Sequence, residues 1–348
     1  TAEFNKERAS FQSNEITSTA QTSDMRSGTD NITGGLNCEL SPNSYSDILA
    51  SLLRGTWAAG ATTTATTIAA AAGKFTRSAG SWITDGFKVG DLVNVSGFTA
   101  PALANNKAWL VKAVTATDLS VVEREDETVT VKASGDSVTV AVAGKKLSIP
   151  LTPAARTDDS YTVEEYFAAH GDAYITTGVK FGSAAISVQP NQMATINFGV
   201  MGRTQTVQTG AYFTSPAAPA TTSVLAGSKG ALLVDGVRVA TVTGISVDLT
   251  GNMETSLVIG QRQAADVALG RIGATGQFTA FFEDNTIYKK FNDDTEISLV
   301  FWLEGDAGES IVLKFPRIKL SGANRDDKET GNIIQTVPFT ALLPKTNT

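Results

Sequence analysis

Over most of the chain, apolar and polar residues alternate with a period of two, in short runs set apart by Gly, Pro, Asn and Asp. Ala194, Ile196, Phe198 and Val200 share one side of a predicted strand at 193–201, with Thr195, Asn197 and Gly199 on the other, because successive strand residues point to opposite faces. A matching run at 185–189 lies across Pro190-Asn191-Gln192 and predicts a hairpin. Leu233-Val234-Asp235-Gly236-Val237-Arg238 predicts another. Its Asp235-Gly236 pair suits a type I′ turn, which needs positive φ at both central residues. Ile245, Val247 and Leu249 alternate with Ser246, Asp248 and Thr250, and runs at 257–260, 277–282, 297–303, 311–320 and 333–342 extend the meander. At 162–167 two signals compete. Thr162 and Glu165 have the spacing of a helical capping box, while Val163, Glu165 and Phe167 alternate with Thr162, Glu164 and Tyr166; we read a strand.

One stretch follows the helical period instead. Tyr45, Ile48, Leu49, Leu52 and Leu53 form a single apolar stripe. Ser41 is the expected N-cap, Pro42 the first helical residue and Gly55 the left-handed stop. Such a helix would cover one side of a β core.

Three segments stand apart. Residues 58–149 open on an Ala/Thr-rich run, read partly as strand, and continue with short strands near 87–95, 109–114, 119–122, 129–132 and 138–142. They predict a small β domain inserted into a larger one formed by 32–57 and 150–348. Residues 1–31 are polar, with Phe4, Phe11, Ile16 and Met25 as sparse apolar points. Alone they bury too little to offset ordering entropy, so they are either a disordered tail or an extended arm that orders against a neighbour, and the sparse apolar points suit the arm. Residues 202–230 read as a long polar loop, and structureless stretches of that length in compact domains usually serve an interaction. The expected fold is therefore mainly β: a sandwich or barrel with one flanking helix and an inserted β module.

Charge and composition narrow the function. The net charge is −7 and the pI about 4.9, with no cluster of Lys and Arg of the kind that neutralises phosphates. The lone Cys38 excludes an intrachain disulfide. No apolar run approaches the ~18 residues of a membrane span, and the polar N-terminus shows no signal peptide, so assembly in a cytoplasm is expected.

Catalytic signals are weak. His170 is the single histidine and lies beside Gly171 near a turn. Gly270, Gly273 and Gly276 lack the Lys-Ser/Thr ending of a phosphate loop and read as turn residues. Asp284, Asp293, Asp294 and Glu296 have no EF-hand spacing and read as solvated turn carboxylates. No catalytic, cofactor or metal residue is assigned. What remains is architecture: an arm and a loop that need partners. Glu15, Ile16, Asp24 and Arg26 on the arm, Tyr212 and Phe213 in the loop, and Arg325, Asp326 and Asp327 in the mixed-charge run at 325–329 are the candidate assembly residues.

Several stretches together carry a family resemblance: Ser13-Asn14-Glu15-Ile16, Asp24-Met25-Arg26-Ser27-Gly28, Gly34-Gly35-Leu36-Asn37-Cys38-Glu39-Leu40-Ser41-Pro42, Leu53-Arg54-Gly55-Thr56-Trp57, Ile196-Asn197-Phe198-Gly199-Val200-Met201-Gly202 and Phe315-Pro316-Arg317-Ile318-Lys319-Leu320. Over roughly 8–57 and 160–345 the chain resembles the tail tube (major tail) proteins of siphovirus-type long-tailed bacteriophages. The resemblance implies a non-enzymatic virion subunit that forms stacked hexameric rings around a lumen for DNA ejection. Its implied partners are further copies of itself and the tape-measure, terminator and distal tail proteins, with DNA only in transit. Six copies at −7 each make −42 per ring. A competing reading is a surface-binding adhesin with 58–149 as receptor module; a third is an enzyme using a carboxylate-bound metal.

Overall fold

The computed structural model describes residues 2–16, 18, 21–123, 127–218, 220–305, 308–326 and 331–344. The chain opens on β1 (Ala2–Gln12) and β2 (Met25–Glu39), followed by α1 (Ser46–Leu53). Next come β3 (Ala58–Ala59), β4 (Thr62–Ala65), β5 (Ile68–Ala71), β6 (Lys74–Arg77), β7 (Leu92–Ser96), β8 (Ala108–Val114), β9 (Asp118–Val121), β10 (Val138–Val142) and β11 (Lys145–Lys146). The remainder holds β12 (Tyr161–Phe167), β13 (Asp172–Val188), β14 (Thr195–Gly202), β15 (Thr204–Thr209), β16 (Gly230–Val234), β17 (Val237–Val239), β18 (Val242–Thr250), β19 (Met253–Ser256) and β20 (Asp266–Leu269). It ends with β21 (Gly273–Phe281), α2 (Thr286–Asn292), β22 (Ile297–Glu304), β23 (Ser310–Leu320), β24 (Asn324–Asp326) and β25 (Ile334–Ala341).

The fold is mainly β, and its strand pairs are antiparallel. The large sheet runs β1-β2-β14-β13-β18-β21-β25-β23-β22-β16-β17. It doubles back on itself, so that apolar rows of the two halves meet. One such row is Cys38, Ile196, Ile186, Val247, Gly276 and Phe339, in register across six strands. Against it pack Leu52 of α1 and Leu232, Leu299, Phe301 and Phe315 from the other half. Gly276 is required here, since a Cβ would come within 2.7 Å of the Phe339 ring. The Gly270, Gly273 and Gly276 set is therefore not a turn: the last two lie in β21.

The helix forms on its predicted stripe, with Leu52 buried and Tyr45, Ile48, Leu49 and Leu53 packed on the core. Its ends differ from expectation. Ser41 does not cap it; its hydroxyl reaches Thr222 Oγ1 at 2.8 Å, and the helix starts at Ser46. Arg54, not Gly55, takes the left-handed conformation at φ 53°. Gly55 is held by space instead, because a Cβ would sit 2.5 Å from the Ser148 carbonyl. The Asp235-Gly236 turn has φ of 52° and 76°, both positive as a type I′ turn demands.

Residues 2–12 do not wait for a neighbouring subunit. As β1 they pair with β2 of the same chain, from Ala2 opposite Leu36 to Gln12 opposite Met25. The expected boundary at residue 31 thus falls inside β2. A polar strand without alternation gives no signal of its own; its ordering comes from backbone pairing with β2, the burial of Phe4 and the ion pairs of Lys6 and Arg8 with Asp30. The stretch expected as a loop at 202–230 begins as strand, with β15 paired to β13. Leu225 is fully buried and pins the remainder through Leu225 N to Leu40 O and Ala194 N to Leu225 O. The run at 257–260 is not a strand but the tip between β19 and β20. The run at 129–132 gives only a single bridge, Ala70 to Lys132.

β4 through β10 form a separate seven-stranded sheet in the order β4-β10-β7-β8-β9-β6-β5. It closes over its own core of Phe75, Trp82, Phe98, Trp109, Val111 and Val140. A second apolar cluster joins it to the large sheet, where Leu92, Leu110 and Val122 meet Ala231, Leu233, Val300 and Trp302.

Candidate functional site

The side of the sheet opposite the core is its most distinctive surface. Pairing registers align three rows across it: Glu39, Thr195, Ser187, Ser246, Gln277 and Pro338; Asn37, Asn197, Ala185, Asp248, Thr275 and Thr340; and Gly35, Gly199, Ser183, Thr250 and Gly273. Asn37, Glu39, Thr195, Asn197, Asp248, Thr275, Gln277 and Thr340 are exposed. The rows hold two carboxylates and no Lys or Arg. Three cations at the margins are paired with carboxylates. Lys319, beside Thr340, pairs with Asp294 at 2.5 Å, Arg317 with Glu296 at 2.6 Å, and the buried Lys180 with Asp158 at 2.7 Å. Chemically this wall offers short hydroxyls and amides, enough to keep water in place and too little positive charge to hold phosphates.

A second surface lies at one end of the same sheet, where three hairpins run past it. β2 continues upward from Ile32 with β1 beside it. The first half of β13 continues with β12 on one side and β15 on the other. β18 and β21 continue, after a bend at Gly251-Asn252, as β19 and β20. The first hairpin is held by Asp30, whose carboxylate meets Arg8 Nε at 2.6 Å and Lys6 Nζ at 3.0 Å. The Arg8 hydrogen bond does most to hold its carboxyl at about 2, below the ordinary carboxylate value. On β12, burial, reinforced by the nearby charge of Glu3, pushes the Glu165 carboxyl above its ordinary range.

The candidate assembly residues divide between the two ends. Glu15 and Ile16 lie in the β1–β2 connection, with Ile16 98% exposed and Glu15 N donating to Ser13 Oγ. Asp24 pairs with Arg26 at 2.8 Å and accepts from Met25 N, which shapes the return of that hairpin. Tyr212 and Phe213 fold back over the β13 ribbon. Their backbone N–H groups donate to the Glu164 carboxylate at 2.6 and 3.0 Å, and their rings meet edge to face. These six share one end. Arg325 and Asp326 lie on β24 near the other, against the start of β25. Arg325, an exposed residue, stacks over Phe282 and Tyr288 of its own chain. Asp327 lies outside the described residues.

Among the described residues the candidate catalytic features lie apart. His170 is an exposed residue of the β12–β13 turn. Asp284 caps the start of α2 by accepting from Thr286 N, while Asp294 and Glu296 are spent on Lys319 and Arg317. Among the described residues no group of three or more His, Cys, Asp or Glu gathers, and no helix is long and apolar enough to cross a membrane. Sequence reasoning missed the polar wall, although the Ser246, Asp248 and Thr250 alternation was its trace. Only the registers show that such strands lie side by side.

No curated protein matches the chain in sequence. A family model described as phage tail tube protein matches residues 2–341, the polar wall, the three hairpins and the inserted module included. The chain therefore belongs to the phage tail tube protein family, structural proteins of the virion that assemble with copies of themselves into the tube of the tail.

Proposed function

We propose that the chain assembles as hexameric rings that stack into the tube, with the polar rows of β2, β14, β13, β18, β21 and β25 facing a lumen through which DNA leaves the virion. The carrying observation is the absence of Lys and Arg from those three registered rows. DNA bears one negative charge per ~1.7 Å of axis, and each phosphate contact adds to affinity and salt dependence. One exposed cation per subunit would be repeated six times in every ring and would hold the passing duplex at each level. Hydroxyls, amides and the carboxylates Glu39 and Asp248 instead give a wetted, weakly repelling wall. Ring subunits of this kind are made and assembled in the host cytoplasm, with tape-measure, terminator and distal tail proteins at the tube's ends and within it.

The test is a charge placed on the wall. Virions carrying Thr275→Lys should assemble normally, release DNA more slowly and show release that quickens with added salt. Unchanged release kinetics with Thr275→Lys, or an unsubstituted chain that forms no sixfold ring in electron micrographs, would remove the assignment.

A further inference from the structure

The three-hairpin end gathers much of the exposed apolar surface of the large domain. Phe11, Ile16 and Met25 lie on the first hairpin and Phe167, Tyr174 and Val207 on the second. The third, β19–β20, ends in Leu257, Val258 and Ile259, which are 60%, 45% and 105% exposed. This tip is displayed on a fixed base. Ala265 N closes the loop onto Ser256 O at 2.8 Å, Asp30 N donates to Arg262 O at 2.8 Å, and Arg203 Nε donates to Ala264 O at 3.2 Å. Ala264 and Val267 beneath it are buried. Three adjacent aliphatic side chains held out in this way make one contiguous exposed apolar patch.

At the opposite end of the same sheet the two halves of the sandwich part. A groove of about 130 Å³ opens there, lined by the apolar Val188, Pro190, Val239, Val242, Ile245 and Leu303 and, at its rim, by the polar Gln189, Ser228, Arg238 and Thr243. Its volume is close to that of a cavity that admits one small apolar group. β18 begins beside the groove at Val242 and ends at Thr250, where the chain bends into the β19–β20 hairpin, so tip and groove lie toward opposite ends of that strand.

We propose that copies stack head to tail through this pair, the Leu257-Val258-Ile259 tip of one ring's subunit seating in the Val188–Ile245–Leu303 groove of the next ring. The inference rests on the ring reading above and names the surface that joins rings. A second copy is the occupant because the family is self-assembling and the two complementary features belong to one chain at opposite ends. Such a contact is heterologous and does not close, so it propagates as a filament. Area supports the same arrangement. A stable interface needs about 800 Å² per partner, more than the tip alone supplies. The apolar residues of the other two hairpins at that end enlarge the contact, and its repetition around a ring makes a modest interface cooperative.

Two variants of the full chain test it, each first checked for an unchanged thermal transition. Ile259→Asp spoils the tip, and Val239→Glu spoils the groove. Each should yield single rings in place of long tubes under conditions where the unsubstituted chain makes tubes. Because each variant keeps the half that the other lacks, mixing them should give paired rings and nothing longer. Should Ile259→Asp disturb folding, Ile259→Ser takes its place with the same expected arrest. Full-length tubes from either variant overturn the contact. Arrest as monomers overturns it too, by assigning the tip to contacts within a ring. Mixed variants that stay single or grow long overturn the pairing of this tip with this groove. Failure of the unsubstituted chain to form rings refutes the ring reading itself, a separable result.

Discussion

The inserted module and the three-hairpin end of the large domain are built from similar short antiparallel strands, yet they handle apolar surface in opposite ways. The module encloses Trp82, Trp109, Phe75 and Phe98 with almost no exposure. It satisfies the indole N–H groups internally, Trp109 Nε1 to Asn105 O at 2.9 Å and Trp82 Nε1 to Thr117 O at 3.1 Å. The hairpin end leaves Phe11, Ile16, Met25, Val207, Leu257 and Ile259 in solvent. One region buries its large apolar side chains within the chain, and the other leaves them exposed. The difference separates what a residue does for folding from what it does for assembly.

The sharpest way to break the comparison is inside the module. Trp109→Ala removes a fully enclosed ring that meets Phe75 edge-on at 6.1 Å, and should cost about 3–5 kcal/mol. Hydrogen exchange should show the loss over 58–146 and leave protection in β13 and β18 unchanged. Next in size is the seam between the two regions. Leu110→Ala, facing Leu233 and Trp302, should cost about 2–4 kcal/mol and expose the linker at 147–160 to proteolysis. A fragment of 58–149 should still melt cooperatively, but with Leu92, Leu110 and Val122 uncovered it should associate at high concentration.

Acid acts on the other region. Asp30 has its carboxyl lowered from 3.8 to about 2 by Arg8 and Lys6. Its charged form is therefore favoured by folding, so the stabilisation is full above pH ~4 and is lost as pH falls through about 2. Exchange protection of β1 should decline over that window, and Asp30→Asn should show reduced protection already at neutral pH. The smallest effect on stability is expected at the tip. Ile259→Ser should shift unfolding by less than about 0.5 kcal/mol while arresting stacking. A large loss of monomer stability there would mean that the tip serves the fold after all.

Much of the secondary structure was legible because it is written in local periodicity. The stripe Tyr45, Ile48, Leu49, Leu52 and Leu53, the hairpin joining 185–189 to 193–201 and the Asp235-Gly236 turn all needed only neighbours in sequence. Failures fell where a distant partner decides. β1 has little alternation and depends on β2. The helix α2 is short, and besides the Asp284 bond at its start only its docking against β23 supports it. The helix stop moved from Gly55 to Arg54, whose Nη2 donates to Gly270 O across the fold at 2.6 Å.

Sequence by itself determined that the chain is mainly β, that an amphipathic helix forms on the Tyr45–Leu53 stripe, and that the net charge is negative. Only the tertiary structure decided that Asn37, Asn197, Ala185, Asp248, Thr275 and Thr340 form one row, and that Leu257-Val258-Ile259 is a tip rather than a strand. The reason is physical. Alternation fixes which residues share a face of their own strand, but register and sheet order come from hydrogen bonds between strands far apart in sequence, and surfaces exist only once those are made.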